Sequence, residues 1–245
     1  MKLKTLFFAG ILTAGCFLVS APDSHADESY KAQVKLMKKN SAKKPDPART
    51  QDFERGIQEL AESGILEKAV KKGDAAPDFT LPDIQGNPVT LSELLKKGPV
   101  VLVWYRGGWC PYCNLHLQTL QNALPDFQAA GAQLVAVSPE LPAKTEITSQ
   151  KHTLGFPVLS DQGNKTASAY GLVFTLPDYV SKRYHQFFNI EEYNGDKSET
   201  LPLSASYVIG QDGKVTYAFL DADYKKRAEP KTLIKKVKKL QRKAA

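Results

Sequence analysis

Val100-Val101-Leu102-Val103-Trp104-Tyr105-Arg106-Gly107-Gly108-Trp109-Cys110-Pro111-Tyr112-Cys113 is the stretch on which the fold turns. Its first half is an unbroken apolar run rich in valine. That is the pattern of a strand covered on both faces, as in a parallel sheet under helices. Gly107 and Gly108 let the backbone turn sharply after it. Beyond them Leu117, Leu120 and Leu124 recur at steps of three and four, the spacing of one helix face. The two cysteines are therefore expected at the first turn of a helix leaving the end of a buried strand. Pro111 suits that turn, because its missing N–H would have no helical partner there.

Cysteines at i and i+3 share a helix face and lie within reach of a disulfide. The unpaired N–H groups and the positive end of the helix dipole favour a thiolate nearest the terminus. This points to Cys110 as the exposed nucleophile and to Cys113, one turn in and better shielded, as the thiol that attacks whatever forms on Cys110. A C-x-x-C in this setting reads as a redox pair.

Other uses of two cysteines fit less well. Zinc needs four protein ligands, or three and water; His116 follows at a usable spacing, but there is no second C-x-x-C. Covalent haem needs histidine directly after the second cysteine, and Asn114 is there. A static disulfide closing so short a loop would constrain the unfolded chain little. No metal and no organic cofactor is implied.

The surrounding residues extend the pattern. Trp109-Cys110-Pro111-Tyr112-Cys113 after a Val/Leu strand resembles the active site of thioredoxin-fold proteins. Gly73-Asp74-Ala75-Ala76-Pro77-Asp78-Phe79-Thr80-Leu81-Pro82-Asp83 with Gly86 is similar to the opening of the alkyl hydroperoxide reductase and thiol-specific antioxidant family, the peroxiredoxins. Ala136-Val137-Ser138 and Phe156-Pro157-Val158-Leu159-Ser160-Asp161 resemble its next two strands, so the likeness covers about residues 73–228. It implies an α/β thioredoxin-like fold, a central mixed sheet flanked by helices. It also implies a peroxidase that forms sulfenic acid on Cys110 and a Cys110–Cys113 disulfide, reduced by an external dithiol such as a thioredoxin-like protein. The family motif P-x-x-x-T-x-x-C, set on Cys110, falls on Val103 and Gly107. The family's late-strand arginine falls on Ser204, and Arg106 is the cation at hand, as a substitute or as a solvated loop residue.

The rest of the chain frames this domain. With 245 residues, 42% hydrophobic and 24% charged, it can bury one good core. Lys2 and Lys4, an apolar run from Leu6 to Val19 and Ser24-His25-Ala26 read as a secretory signal over residues 1–26, too short for a membrane span. An exported protein, periplasmic or secreted, follows from that. Thr13-Ala14-Gly15-Cys16 also resembles a lipoprotein cleavage box, so a lipid anchor at Cys16 stays open.

Residues 27–72 read as a helical N-terminal extension. It begins as a lysine-rich leader, poorly ordered or briefly helical. Thr50 then caps a helix whose Phe53, Ile57, Leu60 and Ala61 form a stripe, ended by Gly64. Residues 73–245 form the thioredoxin-like domain. Helices are expected over 143–152, 164–170 and after Pro230, and an Asp212-Gly213 hairpin near the end. An insertion near 174–200 carries Tyr179, Tyr184, Phe187, Phe188 and Tyr193, read as a helix over Asp178–Phe188 packed on the core, with a wall beside the thiols as the alternative. His152 and His185 have no assigned role. The net charge of +7 suggests only weak attraction to anionic partners, and the lysines lack the aromatics or motif of a nucleic-acid site.

Three functions remain open on the sequence. The first is a peroxidase acting on hydroperoxides. The second is a thiol–disulfide oxidoreductase acting on protein or small disulfides. The third is a non-enzymatic binding module.

Overall fold

A computed structural model describes residues 29–41 and 46–244; the segment read as a signal, with Cys16, lies outside them. The described chain opens on α1 (Tyr30–Asn40), whose N-cap Ser29 accepts the Ala32 N–H at 3.1 Å. Next come α2 (Pro47–Glu62) and α3 (Ile65–Lys68). The start of α2 corrects one reading of the sequence. Its cap is Asp46, whose carboxylate accepts the Ala48 N–H at 3.0 Å ahead of Pro47, while Thr50 lies inside the helix and its hydroxyl donates back to the Asp46 carbonyl. Gly64 has the left-handed backbone (φ 77°) that separates α2 from α3.

The hairpin of β1 (Thr80–Pro82) and β2 (Pro88–Thr90) leads into α4 (Leu91–Lys97) and then β3 (Val100–Trp104). After β3 come α5 (Pro111–Asn122), α6 (Leu124–Ala129), β4 (Gln133–Ser138), α7 (Pro142–Lys151), β5 (Val158–Ser160) and α8 (Lys165–Ala169). The insertion then spans β6 (Val173–Thr175), α9 (Asp178–His185), α10 (Ile190–Asn194) and β7 (Thr200–Pro202). Its helix is shorter than the sequence suggests: α9 stops at His185, and Asn189 caps α10 by accepting the Glu191 N–H. The chain closes with β8 (Ser206–Ile209), β9 (Val215–Phe219) and α11 (Pro230–Ala244).

The central sheet has the order β5-β4-β3-β8-β9. β3 pairs parallel with β4 and antiparallel with β8, so the sheet is mixed and β3 lies at its centre. The α5–α6 crossover is what permits the parallel pair. All five residues of β3 are fully buried, and strand alternation divides them between two cores. Val101 and Val103 pack under α5, α6 and α11 with Leu117, Leu120, Phe127, Leu233 and Val237. Val100, Leu102 and Trp104 face the other side, with Ile65, Leu91, Leu95 and Tyr170. This is the helix-covered mixed sheet that the family resemblance implies, with a helical N-terminal extension. Among the described residues no helix is long and apolar enough to cross a membrane.

The N-terminal helices are tied to the functional end of the domain. The Glu229 carboxylate accepts the Tyr30 and Lys31 N–H groups, and the Tyr30 hydroxyl donates to the Lys225 carbonyl at 2.8 Å. Tyr30 also meets His116 of α5 edge to face, with ring centroids 5.4 Å apart.

Candidate active site

The C-terminal ends of β3 and β4 lie side by side, and the loops leaving them build the site. From β3 the chain enters a tight turn in which the Cys110 N–H donates to the Gly107 carbonyl at 3.1 Å. Asn114 Nδ2 returns from α5 to the Gly108 carbonyl at 2.7 Å. Gly107 has φ 154°, and any Cβ on it would run into the indole of Trp109, so glycine is required there. Cys110 is the N-cap of α5, Pro111 the first helical residue, and Cys113 lies in the first turn.

Both cysteines are free thiols, and both are buried, Cys110 1% and Cys113 0% exposed. The expectation of an exposed Cys110 is therefore corrected. So is the expectation that Cys110 holds the thiolate. At the cap, the Cys110 side chain accepts no helix N–H. Burial and a hydrogen bond to Cys113 push its thiol well above the usual value. Cys113 goes the other way. Burial opposes ionisation there, but the Cys110 thiol donates to its sulfur, Arg227 and Arg106 bring positive charge, and an Arg106 backbone hydrogen bond adds to them, so the thiol is held well below its usual value. These effects favour the ionised form on Cys113 over Cys110.

The cation on Cys113 arrives from far along the chain. Arg227 Nη2 lies 3.3 Å from Cys113 Sγ, and its Nη1 donates to the Tyr224 and Lys226 carbonyls, which fix the guanidinium in place. Arg227 is 3% exposed. Arg106 is 2% exposed, so it is no solvated loop residue. Burial disfavours its charge, yet Tyr184 and both thiols hold it above its usual value, and it stays a cation. It donates to the Tyr184 hydroxyl and lies over the rings of Tyr224 (4.2 Å), Trp109 (5.0 Å) and Tyr184 (5.4 Å).

A carboxyl group lies behind the turn. Glu140, fully buried after β4, accepts the Gly108 N–H at 2.9 Å and faces the Tyr105 and Ser138 hydroxyls at 3.3 and 3.4 Å. Burial pushes it up to about 7, against those donors and with a further push from the Cys113 charge. His116 is buried and neutral, pushed down to about 3 by burial and then by Arg227; its Nε2 meets the Ala228 carbonyl at 3.1 Å. Among the described residues no cluster of His, Cys, Asp and Glu could hold a metal ion.

The insertion covers the site's outer side. Phe188 stacks on Trp109 with centroids 4.7 Å apart, Tyr184 meets it at 5.3 Å, and Phe53 of α2 packs on Tyr184. The aromatics thus do pack the insertion onto the domain, and the same contact makes Tyr184 a wall beside Arg106. Phe187 stays largely exposed, and His185 pairs with Glu199 at 2.7 Å.

The sequence reading brought Cys110 and Cys113 together but missed Arg227 and Glu140. Nothing local marks Arg227. Glu140 carried one usable signal, its place just past the end of the strand expected over Ala136-Val137-Ser138.

Comparison with known proteins shows the family. The model of the AhpC/TSA family matches residues 72–218. A chloroplastic peroxiredoxin Q of wheat, Triticum aestivum, is 30% identical over 159 residues, covering 65% of this chain and 63% of its own length. A putative peroxiredoxin of Mycobacterium tuberculosis is 30% identical over 146 residues, 60% of this chain and 82% of that protein. The chain spans about three fifths of the length of the wheat and rice relatives, 63% and 59%. Among solved structures, the peroxidoxin BcpB of Mycobacterium tuberculosis superposes with a TM-score of 0.56 at 23% identity, covering 70% of this chain and 98% of that one. That likeness shows the fold.

Proposed function

The chain belongs to the AhpC/TSA family, and on that premise we propose that it is a thiol-dependent peroxidase in which Cys113 takes the oxygen atom and Cys110 closes the disulfide. One observation carries the assignment: the buried Cys113 sulfur accepts a guanidinium N–H from Arg227 with the second thiol beside it. This inverts the roles that the helix terminus suggests. The family spacing supports the inversion. Set on Cys113, P-x-x-x-T-x-x-C puts Cys110 at the threonine, where a side-chain donor to the reactive sulfur is needed, and Arg106 at the proline.

In the first step the Cys113 thiolate attacks the terminal oxygen of a hydroperoxide. An S–O bond forms, the O–O bond breaks, and the departing oxygen takes the Cys110 proton and leaves as alcohol or water. Cys110 is then a thiolate and attacks the Cys113 sulfenic acid sulfur; the S–S bond forms, the S–O bond breaks, and the oxygen leaves to solvent as hydroxide, which buffer acid neutralises. Two electrons from an external dithiol, such as a thioredoxin-like protein, restore the pair. Arg106 and Arg227 stabilise the negative charge as it moves from sulfur to oxygen in a site shut off from water.

Burial favours a peroxide over a disulfide as oxidant. Cysteines 1% and 0% exposed offer a protein disulfide no line of attack without opening the turn, whereas a small peroxide needs only a narrow path. The N-terminal pattern supports an exported protein, with a mature chain starting at Asp27 that intact mass would read directly.

The decisive experiment exposes each cysteine variant to dilute hydrogen peroxide and then to dimedone. Cys110→Ser should keep the fast first step and carry the label on Cys113; Cys113→Ser should lose it. A fast-reacting Cys113→Ser protein labelled on Cys110 would reverse the roles. Slow reaction of the wild type with peroxide but not with a mixed disulfide would instead favour the oxidoreductase.

A further inference from the structure

A cavity of about 600 Å³ opens between α2, the insertion and the segment after β9. Its walls are largely apolar, with Ile57 and Leu60 from one side and Leu176 and Val180 from the other. The volume falls in the range of small-molecule sites. At ~30 Å³ for each water-sized group it holds about twenty heavy atoms.

One cation reaches this cavity from the buried interior. Arg106 lines it together with Tyr184, to whose hydroxyl it donates, and its Nε has no hydrogen-bond partner. Among the described residues no carboxylate lies within ion-pair distance of it. The acids at the cavity are engaged elsewhere: Glu59 accepts from Arg55 and Tyr179, and Asp221 pairs with Lys226. A buried cation with an unused donor is costly, and three aromatic faces compensate it only in part. Charge and shape then select one class of ligand: a single apolar chain with an anionic head that fits a guanidinium fork.

We propose that this cavity binds a single-chain carboxylate of about ten to sixteen carbons, its head on Arg106 and its chain between α2 and the insertion. Arg106 stands between two anion positions, this head on one side and the reduced cysteine pair on the other. Disulfide formation removes the thiolate charge and leaves the cavity as the remaining source of a counter-ion. The carboxylate therefore favours the oxidised protein, and by linkage it favours oxidation to the same extent. This coupling rests on the proposed disulfide chemistry; the site itself does not.

The test measures decanoate binding to the full chain by calorimetry, in the dithiol form and after oxidation with diamide. Diamide makes the disulfide even in a protein that ignores peroxide, so the result is independent of the peroxidase reading. Decanoate should bind the disulfide form at least fivefold more tightly than the dithiol form. Decanol and decylamine should bind at least tenfold more weakly than decanoate. Arg106→Gln should lose that preference for the carboxylate. Leu60→Trp, which fills the cavity from a half-buried position on α2, should abolish binding while circular dichroism stays unchanged. Equal affinity for decanoate and decanol, equal affinity for the two redox forms, or full binding by Leu60→Trp would overturn the proposal.

Discussion

Replacing Glu140 with glutamine removes a charge that the fold holds at a cost. The carboxyl is fully buried with no cation beside it, and burial lifts it from 4.5 to about 7. Because the folded value lies above the unfolded one, the native state keeps a proton that the unfolded chain gives up. Stability therefore falls as pH rises through the window from 4.5 to about 7 and stays reduced above it. At 1.36 kcal/mol per unit the loss by pH 8 is about 3 kcal/mol. Glutamine keeps an acceptor for the Gly108 N–H, and the Tyr105 and Ser138 hydroxyls can turn to accept from its amide. Glu140→Gln should thus be more stable than wild type by about 3 kcal/mol at pH 8, and the gap should close toward pH 4.5. His116 contributes the opposite slope, since its depressed value costs stability as pH falls below 6.5, but it is common to both proteins and cancels in the difference. The measurement is urea unfolding of the dithiol proteins from pH 5 to 8.5, with m-values checked for constancy. The gap should shrink in the disulfide forms, where the Cys113 charge no longer pushes Glu140 up. A gap that is flat in pH, or that widens toward acid, would refute the burial argument.

Arg227→Gln, made in a Cys110→Ser background, should move the alkylation midpoint of Cys113 up to or beyond ~8.5, the value of a free thiol; an unmoved midpoint would separate Arg227 from the thiolate. Gly108→Ala should destabilise by ~1–3 kcal/mol, because its Cβ meets the buried Thr148 side chain, and Thr148→Ala should recover part of the loss in a double-mutant cycle. Tyr30→Ala should cost ~3–5 kcal/mol in urea unfolding and should also raise the Cys113 midpoint, since it frees the Lys225–Glu229 segment that carries Arg227.

How far the sequence reached depends on the distance over which each effect acts. The β3 run, the two-glycine turn and the cysteine spacing are local, and strand alternation and helix periodicity translate them directly into a buried strand feeding a cysteine-bearing helix. The boundaries that slipped did so for equally local reasons. Asp46 outranks Thr50 as a cap because Pro47 fixes the first helical residue behind it, and α9 ends early because Asn189 starts a new helix. The proposed exchange of the two thiol roles has a different origin. A helix terminus favours the nearer sulfur only if that sulfur can meet its N–H groups, and Cys110 meets none. Once both sulfurs are buried, desolvation works against both ionised forms, and the decision falls to whichever sulfur a cation can touch.

That cation is 114 residues away, on a segment whose own sequence, Tyr224-Lys225-Lys226-Arg227, reads as ordinary solvated charge. Glu140 was closer to legible. β3 and β4 are parallel neighbours, and that places the residues just past their ends in one cleft, where α/β folds put their chemistry. From there the Tyr105–Gly108 turn and the Ser138–Glu140 turn must meet, and an acid on one of them faces a buried thiol pair on the other. The same logic covers Arg106, which follows β3 directly and meets Tyr184 of the insertion at the cavity. In this protein the thiol pair was fixed by its neighbours in sequence, and which sulfur ionises was fixed by a charge the sequence places far away.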